Sequence, residues 1–267
     1  MNIWKFLLPA ALSLAPALAG AQTLDKIKES GTLTIAFDPS VPPWSYKDDS
    51  LNYAGYEYMV ATKLAADNNL KLEIVETNGA NRIPLLMTNK VDLVIAAMTI
   101  TDERKQVIDF SLPYAGAETA VSGPADMAIA TPEDLSGEQI AVARGTIMDD
   151  QVTAIAPADA QIVRFEDEST TQTAVLSGQM DLIAQNVTRN QSLMDKKPGL
   201  VLEPKILLGT GVHGIGMRKG EDDLKAWVNE WIQTNMKDGT LQGFYQEVHG
   251  VAMPKAVEEA ALAGEQS

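Results

Sequence analysis

Short apolar runs alternate with longer amphipathic stretches from residue 33 to about residue 250, and nothing else in the sequence constrains the fold as strongly. A strand buried on both faces is a nearly continuous apolar run, and parallel neighbours need a long crossover, usually a helix. The alternation therefore predicts an α/β protein with largely parallel sheets. Strands are expected at 33–37, 72–75 and 91–96, with helices at 55–69 and 82–88 between them. After a lapse of periodicity around 110–124, a second series follows. Its strands are at 139–143, 161–165 and 181–184, and its helices at 146–156, 170–177 and 187–195. A strand at 214–217 and helices at 222–236 and 241–248 complete the pattern. Residues 251–267 are rich in Ala and Glu with no evident packing partner, and are expected to form a mobile or loosely docked tail.

The first 21 residues stand apart. Lys5 precedes an apolar stretch broken by Pro9 and Pro16, and Ala19-Gly20-Ala21 has the small-x-small pattern of a signal-peptidase site. The stretch falls short of the roughly 20 apolar residues that a membrane span needs. It predicts an exported, periplasmic protein cleaved after Ala21. There is no cysteine, so no lipid-anchoring thiol, disulfide framework or thiol chemistry is expected. The formal net charge is −15, which makes nucleic acid and anionic lipid poor partners.

Two segments carry chemistry. Residues 97–104 (Ala-Met-Thr-Ile-Thr-Asp-Glu-Arg) lie just past a buried strand and open a short helix, where ligands bind in open α/β sheets. Thr101 is placed to cap that helix. Arg104 offers a planar fork for a carboxylate, unless it pairs with Asp102 or Glu103. Arg144-Gly145-Thr146 is a second strand-to-helix turn with free amides and a hydroxyl. Together the two turns suggest one ligand held between them. Residues 209–214 (Gly-Thr-Gly-Val-His-Gly) match a dinucleotide fingerprint in letters only, because a strand rather than a helix follows; the glycines are read as a flexible crossover. The two histidines, His213 and His249, are far apart in sequence. No catalytic, metal or cofactor set is assigned. Asp38, Glu166 and Glu168 are carboxylates that could act as acids if desolvated.

The order of several motifs resembles the solute-binding proteins of polar amino acid ABC importers, bacterial extracellular solute-binding family 3. These are 31–38 (Gly-Thr-Leu-Thr-Ile-Ala-Phe-Asp) with Pro42-Pro43-Trp44, Gly55-Tyr56, Val91-Asp92-Leu93 with 97–104, and 109–114 (Asp-Phe-Ser-Leu-Pro-Tyr). Arg144-Gly145-Thr146, 177–181 and 214–220 follow in sequence. The resemblance covers residues 24–250 and implies a two-lobe type II periplasmic binding fold, hinged by two crossing strands. Lobe 1 would span 22–117 and 212–250, and lobe 2 would span 118–211. By position Arg104 would hold the ligand α-carboxylate, helped by Thr99, the backbone at Ala97, and Thr146 across the cleft. Asp38 and Asn186 would serve the α-amino group. Arg82, in a segment similar to acidic-amino-acid members, would meet the ligand side chain. Trp44, Met98, Gly145 and Glu168 are further possible contacts. Three departures stand out: Asn186 replaces the family's usual Asp, while Val41 and Gly79 stand where aromatics are common.

The implied function is capture of a polar, possibly acidic, amino acid by a monomer that serves an importer permease and its ATPase. Two other functions fit the fold. A dehydratase of aromatic amino-acid precursors would need a poised acid, for which Glu168 is the candidate. A receptor sensor module would be joined to a membrane span or signalling domain.

Overall fold

The computed structural model describes residues 21–264. The leader expected over residues 1–21 lies, apart from Ala21, outside the described residues. The chain order is α1 (Ala21–Ser30), β1 (Thr32–Phe37), β2 (Ser40–Val41), β3 (Ser45–Lys47), β4 (Tyr53–Ala54), α2 (Tyr56–Asp67), β5 (Lys71–Glu76), α3 (Arg82–Met87), β6 (Leu93–Val94), α4 (Asp102–Val107) and β7 (Ile108–Gly123). It continues through β8 (Gln139–Ala143), α5 (Ile147–Ile155), β9 (Gln161–Phe165), α6 (Glu168–Leu176), β10 (Leu182–Asn186), α7 (Asn190–Lys196) and β11 (Glu203–Arg218). Three helices follow: α8 (Asp222–Lys237), α9 (Thr240–His249) and α10 (Lys255–Ala263).

Eight strands join in the order β5-β1-β6-β11-β7-β10-β8-β9, and β2-β3-β4 form a small separate sheet. The long strands β7 and β11, 16 residues each, pair antiparallel and are shared by both halves. One half places β5, β1 and β6 parallel beside β11; the other places β9, β8 and β10 parallel beside β7, with β10 itself antiparallel to β7. Burial follows this layout. β1 is almost wholly buried, as a central parallel strand must be, whereas the edge strand β5 alternates with exposed residues.

Two sets of hydrophobic clusters result. One gathers Leu33, Ile35, Phe37, Tyr56, Leu64, Leu93 and Tyr114 with Ile215, Leu224, Val228 and Ile232, while Ala36, Leu86, Val94 and Phe110 pack on the other sheet face. The second set is built from Val121, Leu135, Ile140, Val142, Val152 and Leu182, with Val175, Ile183 and Leu193 on its opposite face. The molecule is thus a two-lobe α/β protein whose lobes share the β7–β11 ribbon.

The lapse of periodicity around 110–124 coincides with β7 (Ile108–Gly123), which is buried along most of its length and is one of the two crossing strands that the resemblance implies. Two expectations are corrected. The glycines at 209–214 are part of the paired strand β11, not a flexible crossover. They allow close approach: a Cβ on Gly214 would lie 2.9 Å from Ile100, and one on Gly211 3.1 Å from Thr99 Oγ1. The tail is also docked. Met253, Val257 and Ala261, spaced by four along α10 and the turn before it, are buried in the first lobe's core, which is the stripe that a helix presents to a core.

Candidate functional site

One cavity between the lobes is lined by Asp38, Val41, Gly79, Arg82, Ala96, Ala97, Thr99 and Arg104 from one side and Thr146, Ile147, Met148, Glu168 and Asn186 from the other. Nearly all of these residues lie at or beyond the carboxyl end of a parallel strand: Asp38 after β1, Gly79 after β5, Ala97 after β6, Thr146 after β8, Glu168 after β9 and Asn186 closing β10. Parallel strands leave their crevice at that end, so the topology itself delivers polar groups from both lobes to one place.

Arg104 spans the cleft. Its Nη1 donates to Thr99 O at 2.8 Å, and its Nη2 donates to Gly145 O of the other lobe at 3.3 Å. Thr101 caps α4 by accepting from Arg104 N at 3.2 Å, which seats the arginine in the first turn. Burial, with Arg82 adding repulsion, lowers the Arg104 pKa to about 10, so the guanidinium remains charged at neutral pH. Opposite it, Thr146 caps α5 by accepting from Asp149 N at 3.3 Å and donates to Ala143 O at 2.8 Å. Its hydroxyl therefore fixes the turn, and the first residues of the helix, Ile147 and Met148, enter the cavity wall.

Asp38 is 2% exposed. Desolvation raises its pKa, against hydrogen bonds from Ser40 N at 3.0 Å and Ser40 Oγ at 2.6 Å and against the Arg82 charge. Arg82 is held by Gly79 O at 3.2 Å and Ala96 O at 2.9 Å, in the fields of Asp38 and Glu168. Glu168 forms a 2.6 Å ion pair with Arg189, which is fully buried. Two guanidinium groups and two carboxylates thus line one cavity.

Below the floor, Glu57 is fully buried and accepts from Tyr114 Oη. Burial raises its pKa to about 7, against Tyr114, the Ala97 N–H and Arg82. Ala97 has φ 47°, a left-handed conformation unusual for a residue with a side chain, and strain of this kind tends to persist where a site holds it.

The residues expected from the sequence separate clearly. Asp38, Arg82, Ala97, Thr99, Arg104, Thr146, Asn186 and Glu168 all line the cavity. Trp44 and Met98 do not. Trp44 is buried in the first lobe's core, and Met98 packs with Val94, Ile108 and Phe110 on the other sheet face, because the left-handed turn at Ala97 sends its side chain away. Gly145 takes part through its carbonyl. Sequence reasoning missed Ala96, Ile147 and Met148 as wall residues. The last two directly follow the N-cap Thr146, so the same helix-terminus logic reaches them. It also missed Glu57 and Arg189, isolated charges for which sequence offers no partner.

A two-lobe α/β molecule with a polar interlobe cavity and a shared antiparallel ribbon defines a class, the binding proteins of the type II periplasmic fold. Within that class the chain belongs to the bacterial extracellular solute-binding proteins, family 3, whose family model matches residues 33–251. It is 28% identical to the L-cystine-binding protein TcyJ of Escherichia coli strain K12, over 96% of each chain. To the L-arginine-binding protein of Pseudomonas aeruginosa it is 26% identical, covering 85% of this chain and 92% of the relative. Among solved structures, the ancestral amino acid-binding protein AncCDT-1, a precursor of cyclohexadienyl dehydratase, superposes with a TM-score of 0.79 at 32% identity. That match covers 85% of this chain and all of the other.

Proposed function

We propose that the protein captures an amino acid in the interlobe cavity and delivers it to an ABC importer, acting in the periplasm after cleavage behind Ala21. One observation carries the reading: cationic Arg104, spanning the cleft beside Thr99 and Thr146, shares a single cavity with Asp38 and Asn186. An α-amino acid has a carboxylate and an ammonium on one carbon, and this cavity offers a partner for each, contributed by both lobes. Such a ligand binds best when the lobes are closed around it, which couples capture to closure. Its partners would be the importer's permease and ATPase, meeting a monomer.

Arg82 lies within the fields of Asp38 and Glu168, and Glu168 is also paired to Arg189, so two cations stand against two carboxylates at the side-chain end of the cavity. That balance favours a polar side chain without net charge over an acidic one. The relative from Escherichia coli, which binds cystine, a ligand with no net charge, agrees with this choice. Glu168, the acid that a dehydratase would need, is ion-paired to Arg189, and this supports binding without turnover.

Titration calorimetry of refolded, ligand-stripped protein tests the reading. Saturable binding of a neutral polar amino acid such as cystine, cysteine or glutamine is the expected result. Binding confined to glutamate and aspartate would overturn the neutral-pocket assignment, and binding of no amino acid would overturn the function.

A further inference from the structure

Trp44 was expected near the ligand, yet its side chain is wholly buried away from the cavity, and the hydrogen bond that its indole donates leaves its own lobe. Indole Nε1–H donates to Thr188 Oγ1 at 3.2 Å. Thr188 belongs to the second lobe, in the single turn after β10. That turn lies between Asn186, which lines the cavity, and Arg189, which pairs with cavity-lining Glu168. The donor side is firmly built. The indole sits edge-on to Tyr56 and Tyr245 at 5.7 and 5.8 Å between ring centroids, and close to His213 at 4.7 Å and His249 at 4.3 Å. Its own carbonyl accepts from Glu57 N at 2.9 Å. The two histidines, distant in sequence, meet on this ring.

We propose that the Trp44–Thr188 hydrogen bond is a latch between the lobes, and that both residues are positioning residues that set the stability of the closed form without touching the ligand. The inference rests on the capture reading above. A rigid donor in one lobe and a hydroxyl in the other make this bond only when the lobes meet. Its free energy therefore adds to closure whatever the ligand's side chain. It also gives the hydroxyl at position 188 a partner.

The natural chain has no cysteine, so Leu51→Cys and Val201→Cys, both exposed and in different lobes, accept spin labels cleanly. In the labelled ligand-free protein, Thr188→Val should shift the interlabel distance distribution towards the open form, and Thr188→Ser should restore it. Trp44→Phe should repeat the Thr188→Val result, and the double variant should add nothing to either single change. For every amino acid that the natural protein binds, Thr188→Val should raise Kd by about two- to tenfold, the worth of one neutral hydrogen bond. The ranking of ligands should stay the same. An unchanged distance distribution overturns the latch, and so does a changed ranking, which would make Thr188 a ligand contact. If the natural protein bound no amino acid, the function would fall, while the ligand-free distances would still decide the latch.

Discussion

At the scale of single residues, charge placement decides what the cavity accepts. Arg104→Ala should weaken amino acid binding by at least about thirtyfold, since a charged partner is lost from a desolvated pair. The melting temperature should barely move; calorimetry and a thermal scan on the same sample check both. Arg82→Met removes the cation that sits in the fields of Asp38 and Glu168 and leaves Arg189 alone against two carboxylates, so preference should move towards cationic amino acids in a competition assay. Eight of the expected residues line the cavity because each ends or follows a strand or lies in the first turn of a helix, features that the sequence displays as local pattern. Met98 lies outside the cavity because the face a side chain takes after a sharp turn depends on backbone geometry, here the left-handed Ala97, which no pattern of apolar letters encodes; Trp44 lies outside it because it packs against Tyr56 and Tyr245 in the first lobe's core. Arg189 and Glu57 were invisible because a buried charge is explained only by a partner distant in sequence.

At the scale of elements, the docked helix α10 and the ribbon strands differ most from a reading by composition. An Ala- and Glu-rich segment resembles a solvated tail until its spacing is counted: Met253, Val257 and Ala261 recur every four residues and share one face. Val257 is fully buried, and its Cγ2 lies 2.9 Å from where a Cβ on Gly116 would stand. Val257→Ala should therefore cost about 2 kcal/mol of stability, seen as a lower midpoint in urea with an unchanged slope. The strands of the two parallel sets were legible as elements, but the short β2, β3 and β4 and the full lengths of β7 and β11 were not. β7 and β11 pass through both lobes, and a strand that changes its neighbours along its length has no single burial period to detect. Gly145 shows the same coupling of element and site. It has φ 72°, and a Cβ there would lie 3.0 Å from Ala80 of the facing lobe. Gly145→Ala should weaken ligand binding by more than the strain alone lowers stability, a split that parallel binding and melting measurements would reveal.

At the scale of the whole molecule, acid stability records the buried histidine of the ribbon. Burial first, then the charges of Arg82, His249 and Arg104, lower the His213 pKa to about 3 from an ordinary 6.5. A neutral histidine in the fold that protonates in the unfolded chain contributes stability above about pH 6.5, and this is lost as pH falls towards 3. Glu57 acts in the other direction: its raised pKa of about 7 favours the fold at lower pH, an effect lost as pH rises through 7. The difference between the natural protein and His213→Phe isolates the first effect. The variant should lose less melting temperature than the natural protein between pH 7 and pH 4. The shared ribbon has a further consequence, for the order in which the molecule comes into being. The second lobe is one unbroken stretch of chain, whereas the first receives β1, β5 and β6 early and must wait for the distal half of β11 and for α8 and α10. During synthesis or threading from the amino terminus, the inserted lobe can therefore mature while its host remains a half-sheet with an unpaired edge at β6. That exposed edge is where a holding chaperone would have most to protect.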